Sequence, residues 1–388
     1  MRKNWKQRLK RQIAVCMAGL FVLGMTACEK QGDTDRNLIQ SEKEETRIVR
    51  LYSPMEKTSP DAENVARSAS DKTIAMAEEA LDIYVEYVTY TAENYQDKTY
   101  DDVAIDRIRN NMDDVYLLNP DVIQKMAEEG KLMDLSELDS AKNLREVVKA
   151  ANVYDGKLVA IPQEVVAYGL FVNKDMFDDY GLELPETPEE FLECCRVFKE
   201  NGIETPVGAN RWWLETFVLA QAYADLYNGG NTEAEVAALN SGERKYSDYM
   251  RPGFAFLQEL IDCGYIDAEK ALVSEAIEGE GPDFLAQKTP IVMAYWGAAN
   301  SDTAYGAPDF ELQVIGFPSS RGQMPVMPMT GMAIGVGSEH AEDAMRALDV
   351  MTSDEALQVY TETNKVISPS KNIKVDCIPA LKLLNDRI

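Results

Sequence analysis

The chain has one histidine, His340, in 388 residues. A multi-histidine metal site or a nucleophile–histidine dyad would rest on that single side chain, so most hydrolytic chemistry of those kinds lacks its residues. Basic charge is scarce as well. Lys and Arg total 39 against 66 Asp and Glu, a formal net charge of −27 at pH 7. So acidic a chain is poorly made for gripping nucleic-acid phosphates or an anionic membrane surface. Six cysteines are present, and none of their spacings suits a zinc site or a redox CxxC pair. No GxSxG, HExxH, P-loop or EF-hand pattern occurs. No metal and no cofactor is therefore expected. The one long apolar run, 13 residues from Ile13 to Met25, is shorter than the roughly 17–25 residues of a membrane-spanning helix.

That run has a different context. Arg2, Lys3, Lys6, Arg8, Lys10 and Arg11 precede it with no acid among them, which is the layout of a secretory signal. Met25-Thr26-Ala27-Cys28 follows and resembles the bacterial lipobox, whose cysteine is lipidated after cleavage. Residues 1–27 are expected to be a lipoprotein signal peptide and Cys28 the lipidation site. Residues 28–47 are polar and charged, and read as a flexible tether with a span of ~25 Å. The expectation is an acidic globule held outside a bacterial cell membrane. Cys194, Cys195, Cys263 and Cys377 then remain, and are read as buried thiols.

The length predicts two domains or one large one. Apolar runs and helical periodicity alternate along the chain, which favours α/β. Ile48 to Tyr52, Ile83 to Tyr90, Asp114 to Leu118, Tyr168 to Asn173, Pro290 to Trp296 and Glu311 to Phe317 read as strands. Thr187-Pro188-Glu189-Glu190 is a capping box with proline at the first helical position, and Phe254 to Asp262 reads as a helix. Asn119-Pro120-Asp121 is a helix start directly after a strand. In open α/β sheets ligands bind beyond the carboxyl ends of strands, which is where Asn119 falls.

These segments resemble, in order, those of the bacterial extracellular solute-binding proteins of ABC importers. They are most similar to the sugar-binding group that includes maltose-binding protein. The likeness is carried by Leu51-Tyr52-Ser53, by Asp114 to Leu118, by Tyr154 to Pro162 (YDGKLVAIP) and by Tyr168 to Tyr180 (YGLFVNKDMFDDY). It continues through Leu184 to Phe191 (LPETPEEF), Ile291 to Gly297 (IVMAYWG), Pro325 to Gly335 (PVMPMTGMAIG) and Ile367 to Ser370. The family usually continues with further helices past that last loop, whereas this chain stops at Ile388.

The resemblance implies a two-lobed α/β fold of the periplasmic-binding-protein type, with the ligand cleft between the lobes. It places one lobe at 48–163 plus 316–339 and the other at 164–315 plus 340–388. Crossings are expected near Gln163–Ala167, Gly316–Ser319 and Gly337–Ala341. It further implies a sugar, an oligosaccharide for preference, delivered by a monomer to the transmembrane subunits of an ABC permease. Sugars stack their apolar faces on aromatic rings and need directional polar partners for their hydroxyls. Tyr52, Trp212, Trp213 and Trp296 are the stacking candidates, with Ser53 beside the first and Gly297 after the last. Asn119, Glu164, Tyr168, Thr330 and Gly331 are the polar and backbone candidates. A cationic solute such as a polyamine is the alternative within the binding class. A secreted carbohydrate-active enzyme and a surface scaffold without a ligand are alternatives of other classes. The former would need paired carboxylates, which 66 acids supply by chance.

Overall fold

β1 (Arg47–Ser53) has the composition of a strand at the centre of a sheet, and lies between two parallel neighbours. The computed structural model describes residues 47–54, 68–91, 93–95, 98–211, 214–227, 229–273, 281–295, 308–325, 327, 330–374 and 379–388. The expected signal peptide, Cys28 and all of the tether but Arg47 lie outside them.

The first sheet has the order β8-β3-β1-β2, where β2 is Ile83–Thr89, β3 Val115–Leu118 and β8 Gly331–Ile334. β1 runs parallel to β2 from Arg47↔Ile83 to Ser53↔Thr89, and parallel to β3 with Tyr52 opposite Tyr116. β8 closes the other edge antiparallel to β3, with Gly331 opposite Leu118. Helices α1 (Ala69–Leu81), α2 (Tyr100–Arg109) and α3 (Pro120–Glu128) connect or follow these strands. The Ser68 hydroxyl accepts from the Asp71 amide to start α1. Thr99 and Asp102 form a reciprocal capping box on α2. Pro120 opens α3 at the position where a missing N–H costs nothing.

The second sheet has the order β5-β6-β4-β7. β4 (Tyr168–Asn173) lies between β6 (Ile291–Tyr295) and β7 (Leu312–Ile315), antiparallel to both, and β5 (Val207–Gly208) pairs parallel with β6. Leu170, Phe171 and Val172 are fully buried, because the sheet is covered on both faces. Leu170 and Val172 join an aromatic core with Phe177, Phe191, Phe198, Phe217 and Phe256. That core is built on α4 (Pro188–Glu200), α5 (Leu214–Tyr227) and α6 (Tyr246–Asp262). Phe171 faces the other way, with Phe284 and Phe310.

Two departures from the sequence reading have clear causes. α6 begins at Tyr246, and not near Phe254, and runs through Pro252-Gly253. A Cβ on Gly253 would lie 2.5 Å from the Val218 carbonyl oxygen, so the glycine permits close packing of α6 on α5 and does not break the helix. The second departure concerns the lobes. α7 (Ala341–Met351) and α8 (Asp354–Asn364) pack on α1 of the first sheet, so 340–388 does not belong wholly with the second. Residues 316–324 stay with the second sheet. Phe317 and Met324 exchange backbone hydrogen bonds of 2.8 and 2.7 Å, and both pack in the aromatic core. The chain therefore passes to the first sheet between Met324 and Gly331, and does not cross at Gly337–Ala341.

Residues 379–388 return to the second sheet. Ala380, Leu381 and Leu384 are buried in the same core cluster as Val314 and Phe171. Of the four cysteines read as buried, Cys194 and Cys195 are buried thiols, Cys263 is exposed and Cys377 lies outside the described residues. Truncating a buried leucine leaves a cavity as well as losing transfer free energy. Leu384→Ala is expected to lower unfolding stability by about 2–5 kcal/mol, read by urea denaturation.

Candidate functional site

The parallel strands β1, β2 and β3 all end on one edge of the first sheet, the edge where open α/β folds place ligands. Asn119 leaves β3 there. It is exposed and does not cap α3 with its side chain. Instead its Nδ2 donates to Asp101 Oδ1 at 2.8 Å. Thr330 enters β8 on the same edge, opposite Asn119 by continuation of the Gly331↔Leu118 register. Gly331 is buried, and a Cβ on it would meet the Ala160 Cβ at 3.0 Å. Only a bare backbone fits as the 160–161 segment joins the sheet through Ile161 and Met332.

From Ile161 the chain leaves the first sheet on this edge and reaches β4 at Tyr168 seven residues on, a reach of at most ~25 Å. It arrives at the edge where β6 and β7 end, with Tyr168 opposite Tyr295 and Leu170 opposite Ile315. β5, parallel to β6, ends on that side too. Trp212 and Trp213 follow β5 in sequence, and Trp296 and Gly297 follow β6. All four lie outside the described residues. Tyr168 is half-buried.

The connecting segment is held by its backbone and by one side chain. The Val165 amide donates to the Ile367 carbonyl at 2.8 Å. Gln163 Nε2 donates to Thr73 Oγ1 at 2.9 Å and to the Met351 carbonyl at 3.1 Å. Glu164 stands between these anchors, half-buried, and makes no hydrogen bond or ion pair among the described residues. Burial alone pushes its carboxyl above the ordinary glutamate range. Burial first, and the Glu164 charge second, push the Tyr360 phenol up.

Two sequence candidates are not available to a solute. Tyr52 is fully buried. Its ring lies between the Arg107 guanidinium, 5.2 Å from the centroid, and the parallel Tyr100 ring at 5.0 Å. Ser53 is also buried, and its carbonyl accepts from the Tyr90 amide at 3.0 Å. Inward-facing positions of a covered central strand have no route to a ligand. The part-exposed aromatics on this edge are Tyr90, Tyr95 and Tyr100. The density of tyrosine between residues 84 and 100 was the available signal for them, but it also suits a strand.

Two cavities lie apart from this region. One of about 670 Å³ runs along the outer edge of β5, lined by Thr205, Lys270, Asp283 and Lys288 among others. Another of about 300 Å³ is lined by Asp225, Arg244, Tyr249 and Arg321 among others. Neither is lined by a residue singled out from the sequence.

Known proteins resemble the chain at two levels. A probable sugar-binding periplasmic protein of Rhizobium meliloti is 31 % identical over 141 residues, 34 % of this chain and 34 % of that protein. The match thus spans about a third of the relative's length. A family 1 extracellular solute-binding protein from Bifidobacterium longum subsp. infantis superposes with a TM-score of 0.69 at 20 % identity, covering 88 % of this chain and 86 % of that one. The apo form of RafE from Streptococcus pneumoniae gives a TM-score of 0.68 at 19 % identity over 88 % of this chain and 85 % of that one. A RafE complex with raffinose gives 0.61 at 20 % identity over 88 % and 87 %. These structures share the two-lobed α/β fold, and the two sheets joined by short passes are its lobes. With residues 63–358 matching its family profile, the chain belongs to the bacterial extracellular solute-binding proteins.

Proposed function

We propose that the chain captures a carbohydrate, an oligosaccharide for preference, between its two lobes and presents it to an ABC permease. It does so outside a bacterial membrane, anchored by lipid on Cys28. One lobe is built on β1, β2, β3 and β8 with α7 and α8, the other on β4 to β7 with residues 379–388. The observation that carries the reading is Glu164. A half-buried carboxylate with no hydrogen bond or ion pair among the described residues, on the pass between two sheet edges, is stabilised by whatever donates hydrogen bonds to it. Sugar hydroxyls are such donors. Asn119, Asp101 and Thr330 on the first edge, and Tyr168 on the second, supply further polar groups around the same pass. The relatives named sugar-binding and raffinose-bound favour a sugar over other solutes.

Thermal unfolding against oligosaccharides, monosaccharides and polyamines tests this reading, with the sugars checked for breakdown. A ligand that binds only the native state adds RT ln(1 + [L]/Kd), about 2.7 kcal/mol at 100 Kd. The expected result is a rise in Tm of several degrees with an intact oligosaccharide. A shift with polyamines alone would replace the sugar, and sugar breakdown would move the reading to an enzyme.

Glu164→Gln separates stability from binding. A carboxyl whose pKa is raised in the folded state binds more protons folded than unfolded, so its charge destabilises the fold as pH rises past the ordinary glutamate range. The Gln variant is therefore expected to match or exceed the wild-type Tm at pH 7, with the difference closing in acid. Its sugar affinity should fall by about 10–100-fold, the loss of a hydrogen bond to a charged group. Equal affinity would remove Glu164 from the site. Cys28→Ala is expected to release the protein from the membrane fraction into the medium, read by immunoblot.

A further inference from the structure

The tyrosines at the carboxyl edge of β1 and β2 form one connected stack. Tyr52 lies parallel to Tyr100 at 5.0 Å and 7°. Tyr90 lies parallel to Tyr95 at 5.6 Å and 7°, and meets Tyr100 edge-on at 5.6 Å and 87°. Arg107 backs the stack. Its guanidinium lies over Tyr52, donates to the Tyr95 hydroxyl at 3.1 Å, and is clamped by Asp113 through two bonds of 2.6 Å. Asp113 is fully buried at its side chain, so this pair is largely out of water and rigid.

The hydroxyls of the outer rings are turned into the protein. Tyr90 donates to the Lys98 carbonyl at 2.8 Å, Tyr100 donates to the Leu117 carbonyl, and Tyr95 accepts from Arg107. Beside the O–H proton that Tyr95 keeps, what the outer rings have left to offer is C–H edge and π face. Tyr95 stacks on Tyr90 with one face, and among the described residues no second ring covers the other. Next to the stack, at the start of α2, Asp101 holds the Asn119 amide. Asn119 keeps its carbonyl oxygen as an acceptor and one N–H as a donor, and Asp101 keeps a carboxylate oxygen.

We propose that Tyr90 and Tyr95 are a stacking platform for the apolar face of a pyranose ring, with the Asp101–Asn119 pair reading that ring's hydroxyls. This deepens the carbohydrate reading above and rests on it. A neutral sugar fits the division of labour. The platform gives contact area at low entropy cost, since Arg107 and the inward hydroxyl bonds already fix the rings. The amide and carboxylate give direction. Tyr52, expected from the sequence to stack on the solute, is the buried layer beneath this surface.

The test is titration calorimetry of the protein with the oligosaccharide that raises its Tm most, alongside NMR of the sugar C–H protons. Tyr95→Ala is expected to raise Kd about tenfold and to abolish the upfield ring-current shift of the bound sugar. Tyr95→Phe keeps the face and should bind within a few-fold of wild type with the shift intact. Asn119→Ala, on an exposed side chain, should raise Kd several-fold without altering Tm, which guards against a Tyr95→Ala variant that merely loosens the fold. Wild-type affinity in both Tyr95→Ala and Asn119→Ala would overturn the platform while leaving the carbohydrate reading intact. Absence of sugar binding by the wild-type protein would overturn both.

Discussion

The pairing of two passing segments at Val165 and Ile367 is the constraint on which the rest depends. Chain that joins two sheets runs away from both ladders, yet its backbone groups still need partners. Here the segments satisfy each other, through the 2.8 Å bond from the Val165 amide to the Ile367 carbonyl. Val165, Ala167 and Ile367 are fully buried and belong to one apolar cluster. That cluster runs from Val49 and Val115 under the first sheet to Phe171 and Val314 under the second. Apolar packing thus continues beneath the passes, and Glu164, on the 161–168 segment, is left half-buried with no hydrogen bond or ion pair among the described residues.

Side chains far apart in sequence reinforce this junction. Arg145, just before the Glu146–Ala151 helix, donates to the Ser368 carbonyl at 3.0 Å and to Asn385 Oδ1 at 2.8 Å. Its amide donates to the Pro369 carbonyl at 2.9 Å. Burial lowers its pKa, a cost accepted for bonds that tie the second passing segment to the last residues of the chain. Arg107 does the corresponding work on the first sheet, where the Asp113 clamp and the tyrosine stack stiffen the edge at which β1 and β2 end. In both places an arginine fork fixes more than one element at once, a role its planar geometry suits better than a lysine's.

Much of the fold was legible because local chemistry carried it. The Thr187 capping box, Pro120 at a helix start and the apolar run Tyr168–Asn173 are signals that need no tertiary information, and the structure has all three. The helix Thr232–Ser241 was not legible, since none of its residues is buried and it shows no apolar stripe. The crossings near Gly316 and Gly337 were placed by position along the family resemblance, which carries no packing information. Both glycines serve close approach within one lobe. A Cβ on Gly316 would lie 2.8 Å from the Met324 backbone, and one on Gly337 would overlap the Asn111 side chain. The edge position of Asn119 followed from the strand that runs straight into a helix start, whereas Tyr168 and Thr330 came from the family resemblance. The burial of Tyr52 followed from neither, because alternation along a strand does not say which face a helix and its tyrosines will cover.

Hydrogen exchange with and without a saturating oligosaccharide tests the central claim most directly, because it reports where along the backbone the solute is held. Added protection is expected at residues 161–168 and at the edges around Asn119, Thr330 and Tyr168. Protection confined to the outer edge of β5, around Thr205 and Lys270, or absent from the 161–168 segment, would contradict that claim.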